Sequence, residues 1–258
     1  MRPLAFISGA SSGIGKELAY QAASDGYDLF LVARRKDKLD EIAQQCRDDH
    51  GVDVITLAAD LSKEAEWSAV MTTLRDEKDR LEVVINNAGF GAAGRVIDLE
   101  WSRQNDMIQL NITSLVYFSR ECAALMVPRG KGYIMNVAST AAFQAGPLMS
   151  LYYASKAFVL HFSEGLAEEL KSDGVVVSTL CPGPTESEFL EASKMERPIY
   201  FKGPIPTSKD VAIWGWKAMK KGRVVAIHSL KNRLLTCSVR LIPRVVIRKI
   251  TKLLNQSK

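Results

Sequence analysis

Histidine is scarce in this sequence: His50, His161 and His228 are the only three, and no two stand at a metal-ligand spacing. The four cysteines (Cys46, Cys122, Cys181, Cys237) are equally scattered. Neither a disulfide framework nor a zinc ribbon can be built from such positions, so free thiols in a reducing, cytoplasmic setting and no metal site are expected. Long apolar runs are missing too. The first, Leu4–Ile7, is short and leads into a glycine-rich turn, which predicts no secretory leader. No stretch approaches the roughly 20 apolar residues of a membrane-spanning helix. Acidic residues are absent from residue 229 onward, where eight Lys and Arg remain. The net charge of +5 is thus a body of −3 carrying a tail of +8.

Short apolar runs alternate with longer amphipathic stretches along the 258 residues. This alternation predicts one α/β domain of Rossmann type, doubly wound, with about seven parallel strands and helices on both faces. Strands are expected at Leu4–Ser8, Asp28–Ala33, Asp53–Ala58, Val83–Asn86, Gly132–Val137, Val175–Cys181 and Val224–Ile227. They are rich in Val, Ile and Leu and barely alternate, as strands covered on both faces should. Helices are expected near 13–25, 36–49, 64–79, 102–127, 152–172 and 208–220, with Ser62 and Ser208 as N-caps and Gly174 ending the fifth.

Ser8-Gly9-Ala10-Ser11-Ser12-Gly13-Ile14-Gly15 joins the first strand to the first helix. Glycines there permit a tight turn and a close backbone approach to a pyrophosphate, which the helix N-terminus attracts. A turn of this kind without a ligand is the alternative. The second strand ends at Ala33-Arg34-Arg35 with no Asp or Glu. In dinucleotide folds an acid at that point binds the ribose 2′-hydroxyl, whereas arginine accommodates a 2′-phosphate. NADP(H) is therefore expected in preference to NAD(H), with Arg34 and Arg35 as its phosphate contacts and Lys38 adding to the patch.

Tyr152 and Lys156 are four apart at the start of the fifth helix, hence neighbours on one face. An ammonium beside a phenol favours the phenolate and draws its pKa down from about 10. Ser139, at the end of the fifth strand, carries a hydroxyl that could polarise a carbonyl oxygen. Taken alone, a Tyr and a Lys at this spacing are an ordinary surface pair. Beside a strand-end serine and a dinucleotide turn they form a candidate acid–base site.

Over residues 3–228 the chain resembles the short-chain dehydrogenase/reductase family. Its turn is similar to the family's Thr-Gly-x-x-x-Gly-Ile-Gly, with Ser8 in place of the threonine. Asn86-Asn87-Ala88-Gly89 resembles the Asn-Asn-Ala-Gly motif, and Pro182-Gly183-Pro184-Thr185-Glu186-Ser187 the Pro-Gly motif, although Pro184 departs from the family's usual pattern. The resemblance implies a catalytic set of Asn111, Ser139, Tyr152 and Lys156. Asn111 would distort the fourth helix and hold a relay water, and Lys156 would hold the nicotinamide ribose. It implies cofactor contacts from Gly9, Ser11, Ser12, Gly13, Ile14, Gly15, Arg34, Arg35, Asp60, Leu61, Asn87, Ala88, Gly89, Tyr152, Lys156, Pro182, Gly183, Thr185 and Ser187. The activity implied is hydride transfer between NADP(H) and a carbonyl or alcohol, in a homodimer or homotetramer. A dinucleotide-sensing regulator or a membrane-associated scaffold on the same fold is the alternative, and it need not keep all four catalytic positions.

Residues 182–207 hold five of the nine prolines and are expected to form a long lid over the substrate. The apolar residues Phe189, Leu190, Met195, Ile199, Tyr200, Phe201 and Ile205, with Phe143 and Leu148, suit either a pocket for a hydrophobic carbonyl compound or simple packing of the lid. From Ser229 onward an amphipathic extension mixes leucines and cations, and Pro243 should split it in two. It can pack on the catalytic body or a second subunit. It can also touch an anionic membrane surface peripherally. Nothing in its composition suggests nucleic acid.

Overall fold

In β1 (Leu4–Ser8) every side chain is buried, because successive residues of this central strand feed two different cores. Leu4 and Phe6 join one cluster, Ala5 and Ile7 the other. The computed structural model describes residues 1–186 and 205–256. Around β1 lie β2 (Asp28–Ala33), β3 (Val54–Ala58), β4 (Leu81–Asn86), β5 (Gly132–Val137), β6 (Val175–Cys181) and β7 (Val225–Ile227). All pairings are parallel, in the order β3-β2-β1-β4-β5-β6-β7. The chain thus winds outward in both directions from the β1–β4 boundary, the crevice where open α/β sheets bind ligands.

One face is covered by α1 (Gly13–Ser24), α2 (Lys36–His50) and α7 (Ser208–Lys220), which bury Leu18, Leu39, Ile42, Val211 and Trp216 against the sheet. The other face is covered by α3 (Trp67–Asp76), α5 (Leu115–Met126) and α6 (Ser150–Glu169). There Trp67, Phe118 and Met126 pack on Phe6 and Phe30.

The sequence predicts one helix over 102–127. Within that span α4 (Trp101–Ile108) passes through a π-helical turn at Gln109–Ser114 before α5 begins, at the residue where the resemblance implies a distortion. The cause is tertiary: Asn111 lies in that turn and bonds outside its own helix. The third predicted helix starts as a 3₁₀ turn at Glu64–Glu66, and the Ser62 hydroxyl is bonded to Asp60. Thr207, not Ser208, caps α7, in a reciprocal pair with Asp210, while the Ser208 hydroxyl donates to Glu186 O at 2.7 Å.

The extension does split at Pro243, into α8 (Leu230–Ser238) and α9 (Arg244–Asn255). Its contact with the body is narrow. Thr251 and Asn255 are buried, whereas Leu234, Leu241 and Leu253 are more than 60% exposed. Packing of its leucines on the body, one of the expected outcomes, is therefore not what is found. Among the described residues no helix is long and apolar enough to cross a membrane.

Candidate active site

The glycine-rich turn is held in place by polar bonds from the β4 end. The Ser8 hydroxyl accepts from the N–H groups of Asn87 and Ala88, each at 3.1 Å. Asn87 Nδ2 donates to Ser8 O and Gly9 O. Ser8 thus retains the oxygen that ties the two motifs together. Gly9 has a φ of 65°, and a Cβ there would lie 2.8 Å from Ala88 Cα. A Cβ on Gly15 would collide with Gly9 O and Asn87 Nδ2. The turn leaves no room for side chains at these points, so its backbone N–H groups can meet a ligand directly. Gly15→Ala is accordingly expected to weaken nucleotide binding at least 10-fold, because the turn must open to admit a methyl group. Fluorescence titration would measure this, and unchanged affinity would remove the turn from the binding site.

Arg34 is exposed at the end of β2 and has no ion pair among the described residues. Arg35 follows it and reaches Ser11, with Nη2 3.2 Å from the hydroxyl. Lys38 does not join this patch; its ammonium lies 3.0 Å from Glu41 on the exposed side of α2. Ser12 is the residue before α1, and Gly13 and Ile14 open that helix. Asp60 follows β3 and accepts from the Ser62 N–H and hydroxyl. Leu61 beside it is buried, and its carbonyl takes the Trp67 indole N–H.

At the C-terminal ends of β4, β5 and β6 the four expected catalytic residues come together. Ser139 follows β5 and is hydrogen-bonded to the Tyr152 phenol. Its oxygen also accepts from Ala141 N at 3.1 Å and lies 3.4 Å from Pro182 O. One turn along α6, Lys156 donates to Val137 O at 2.8 Å, with its nitrogen 5.9 Å from the Tyr152 ring centre. Asn111 is fully buried and embraces Phe90: Oδ1 accepts from its N–H and Nδ2 donates to its carbonyl. The same Nδ2 lies 3.1 Å from Ser155 Oγ. A methyl group on Gly89 would sit 3.0 Å from Asn111 Oδ1 and 3.4 Å from Lys156 Nζ, which puts the Asn-Asn-Ala-Gly motif, the π turn and α6 at one point.

Burial sets the acidities. Tyr152 is 9% exposed, and loss of solvent pushes its phenol up to about 12, against a smaller lowering by Ser139. Burial likewise brings Lys156 down to about 8. The expectation that Lys156 would draw the phenol downward is thus overturned. Desolvation disfavours the charged form of both groups and is the largest cause of each shift.

The Pro-Gly segment closes the site from β6. Pro182 O accepts from Thr140 N at 2.8 Å, and Thr185 is buried with its hydroxyl on Gly183 O. Ser187 and the residues Phe189 to Phe201 of the expected lid lie outside the described residues. The two ends of the excursion meet: Glu186 bridges Thr207, with Glu186 N donating to Pro206 O.

Sequence reasoning missed a polar network beneath the site. Asn86 Nδ2 donates to Asn136 Oδ1 and to Ser119 Oγ, and Asn136 Nδ2 donates to Ser163 Oγ. Asn136, Ser119 and Ser163 are entirely buried and pin β4 and β5 to α5 and α6. A lone Asn in the apolar run Gly132–Val137 was the available signal. Ser155 was missed as well, although it stands between Tyr152 and Lys156 on α6.

This architecture has relatives. The short chain dehydrogenase family model matches residues 3–198, and the chain belongs to that family. It is 34% identical over 209 residues to the very-long-chain 3-oxoacyl-CoA reductase of Anas platyrhynchos, covering 78% of this chain and 64% of the relative. It is 35% identical over 198 residues to 11-beta-hydroxysteroid dehydrogenase 1A of Arabidopsis thaliana, covering 76% and 54%. The chain thus matches less than two thirds of the length of these curated relatives. Among solved structures, the short-chain dehydrogenase from Sphingobium yanoikuyae in complex with NADPH superposes with a TM-score of 0.84 at 33% identity, covering 93% of this chain and 94% of that one. The bulky-bulky ketone specific alcohol dehydrogenase from Comamonas testosteroni gives 0.80 at 28%, covering 93% and 92%.

Proposed function

We propose that this chain is an NADPH-dependent oxidoreductase that reduces a ketone, aldehyde or 3-oxoacyl carbonyl to an alcohol, or runs the reverse reaction. The observation that carries this reading is the meeting of Ser139, Tyr152, Lys156 and Asn111 beside a glycine turn too tight for side chains. The residues present fit a dinucleotide. The turn around Gly9 and Gly15 offers N–H groups to a pyrophosphate, and the Arg34 cation, with no ion pair among the described residues, stands at the β2 end where a 2′-phosphate would lie. When bound, the cofactor supplies the hydride.

The chain's own residues do the rest. Tyr152 holds its proton across the physiological range and donates it to the carbonyl oxygen as negative charge develops there. Ser139 keeps a hydroxyl beside the phenol and the same oxygen. The Lys156 ammonium stabilises the phenolate left behind. Asn111 fixes the Gly89–Phe90 backbone against Ser155 of the catalytic helix, a positioning role. A hydrophobic carbonyl compound is the proposed substrate, in keeping with the named substrates of the relatives, and residues 182–207 are proposed to form its lid. A homodimer or homotetramer is the proposed assembly, and analytical ultracentrifugation tests it.

A spectrophotometric screen of carbonyl compounds, following NADPH loss, tests the activity. Arg34→Ala tests the cofactor. A charge-assisted phosphate contact contributes about 1.5–3 kcal/mol, so NADPH should bind roughly 10- to 100-fold more weakly while NADH changes little. Equal weakening of both would refute the preference.

A further inference from the structure

The face of α9 that the body does not cover has a definite order around its axis. At about 100° per residue, Val246, Ile250, Leu253 and Leu254 fall within one arc of roughly 100°, and all four are exposed. The cations Arg244, Arg248, Lys249 and Lys252 lie on the opposite side, with Val245 among them, and are exposed as well. The stripe of half-buried Ile247 and buried Thr251 and Asn255 runs along one border of the two groups and reaches into the cationic side. On α8, Leu230 and Leu234 add further exposed apolar surface. Exposed apolar patches of this extent mark an interaction surface.

Charge decides what the surface meets. Residues 229–258 hold eight Lys and Arg and no carboxylate side chain, and none of the seven described cations forms an ion pair among the described residues. A second copy docked here through the same segment would offer these cations no carboxylate side chain. An anionic lipid surface instead neutralises the cations and takes up the apolar arc together. We infer that α8 and α9 dock the protein on an anionic bilayer, in its plane and without crossing it. This goes beyond the proposed reaction and does not depend on it.

The docking surface is joined to the reaction site. Asn255 Nδ2 donates to Pro147 O at 2.9 Å, and the Tyr153 hydroxyl lies 3.3 Å from Asn255 Oδ1. Pro147 belongs to the loop that leads into α6, and Tyr153 adjoins Tyr152. A bilayer under α9 would therefore lie beside the approach to Tyr152, where a lipophilic carbonyl compound would arrive.

Co-sedimentation of the full chain with phosphatidylcholine vesicles, with and without phosphatidylglycerol, tests the inference without any turnover. Binding is expected only with the anionic lipid and is expected to fall as salt rises. The triple variant R248Q/K249Q/K252Q should partition on the order of 100-fold more weakly, at about 1 kcal/mol per cation. I250E/L253E should lose binding with every cation retained. Both sets of side chains are exposed, so circular dichroism and thermal melts should match the parent. No binding to anionic vesicles at low salt would overturn the inference. So would an oligomer that I250E/L253E dissociates while vesicle binding persists, or equal capture of any polyanion regardless of Ile250 and Leu253.

Discussion

Tyr152→Phe is expected to leave a folded protein that still binds NADPH but reduces carbonyl compounds about 10²–10⁴-fold more slowly, the usual contribution of a placed general acid. The substitution deletes one oxygen from a buried ring. Ser139 keeps its bonds to Ala141 and Pro182, so the surrounding backbone has little reason to move. The loss should fall on kcat, with nucleotide affinity within a few-fold of the parent, because the phenol acts on the developing oxyanion. Steady-state rates of NADPH consumption, set beside a fluorescence titration of NADPH, separate the two quantities. Turnover at the parental rate would remove Tyr152 from proton transfer.

Lys156→Met should move activity and stability in opposite directions. In the folded chain the ammonium has one bond, to Val137 O, and burial lowers its pKa from 10.5 to about 8. The unfolded chain holds the charge without that cost up to its ordinary pKa. A depressed lysine therefore destabilises the fold at pH values below about 8, and the penalty fades as pH rises from there toward 10.5. At 1.36 kcal/mol per pKa unit the penalty is about 3 kcal/mol, and the lost bond to Val137 offsets about 1 kcal/mol of the gain. The variant should thus melt higher than the parent at neutral pH and lose most of its turnover. A lower melting temperature would contradict the stated cost. The same shift fixes a pH profile for the parent. The Tyr152 phenol stays protonated far above neutrality, so kcat/KM for reduction should be level below about pH 8 and fall above it as the Lys156 ammonium is lost. A profile that is level to pH 10 would assign the ammonium no part.

Most of the sheet could be read from the chain because Leu4–Ser8, Asp28–Ala33 and Gly132–Val137 are apolar on both faces, a pattern that only a covered strand requires. Motif positions were legible for the same local reason: a turn that must lack side chains announces itself as glycine. What was hidden depends on distant partners. The resemblance implied a distortion at Asn111 but not its partners: Phe90 and Ser155 offer bonds that the helix ladder cannot, and neither is near in sequence. The acidity of Tyr152 was misjudged from its spacing to Lys156 because spacing gives proximity, while the pKa follows burial. Thr207 took the cap from Ser208 because Glu186, across the neck, claimed the Ser208 hydroxyl.

That neck has a consequence for how this scaffold could be altered. Glu186 and Thr207 are fastened to each other where the chain leaves β6 and enters α7, so the two attachment points of the segment between them are held by the described residues. Exchanging it for a segment of twice the length adds only about 0.6 kcal/mol of loop-closure entropy, and the sheet, the glycine turn and the acid–base residues keep their places. If the proposed lid selects the substrate, exchanging it should change specificity and leave the proposed catalytic set in place.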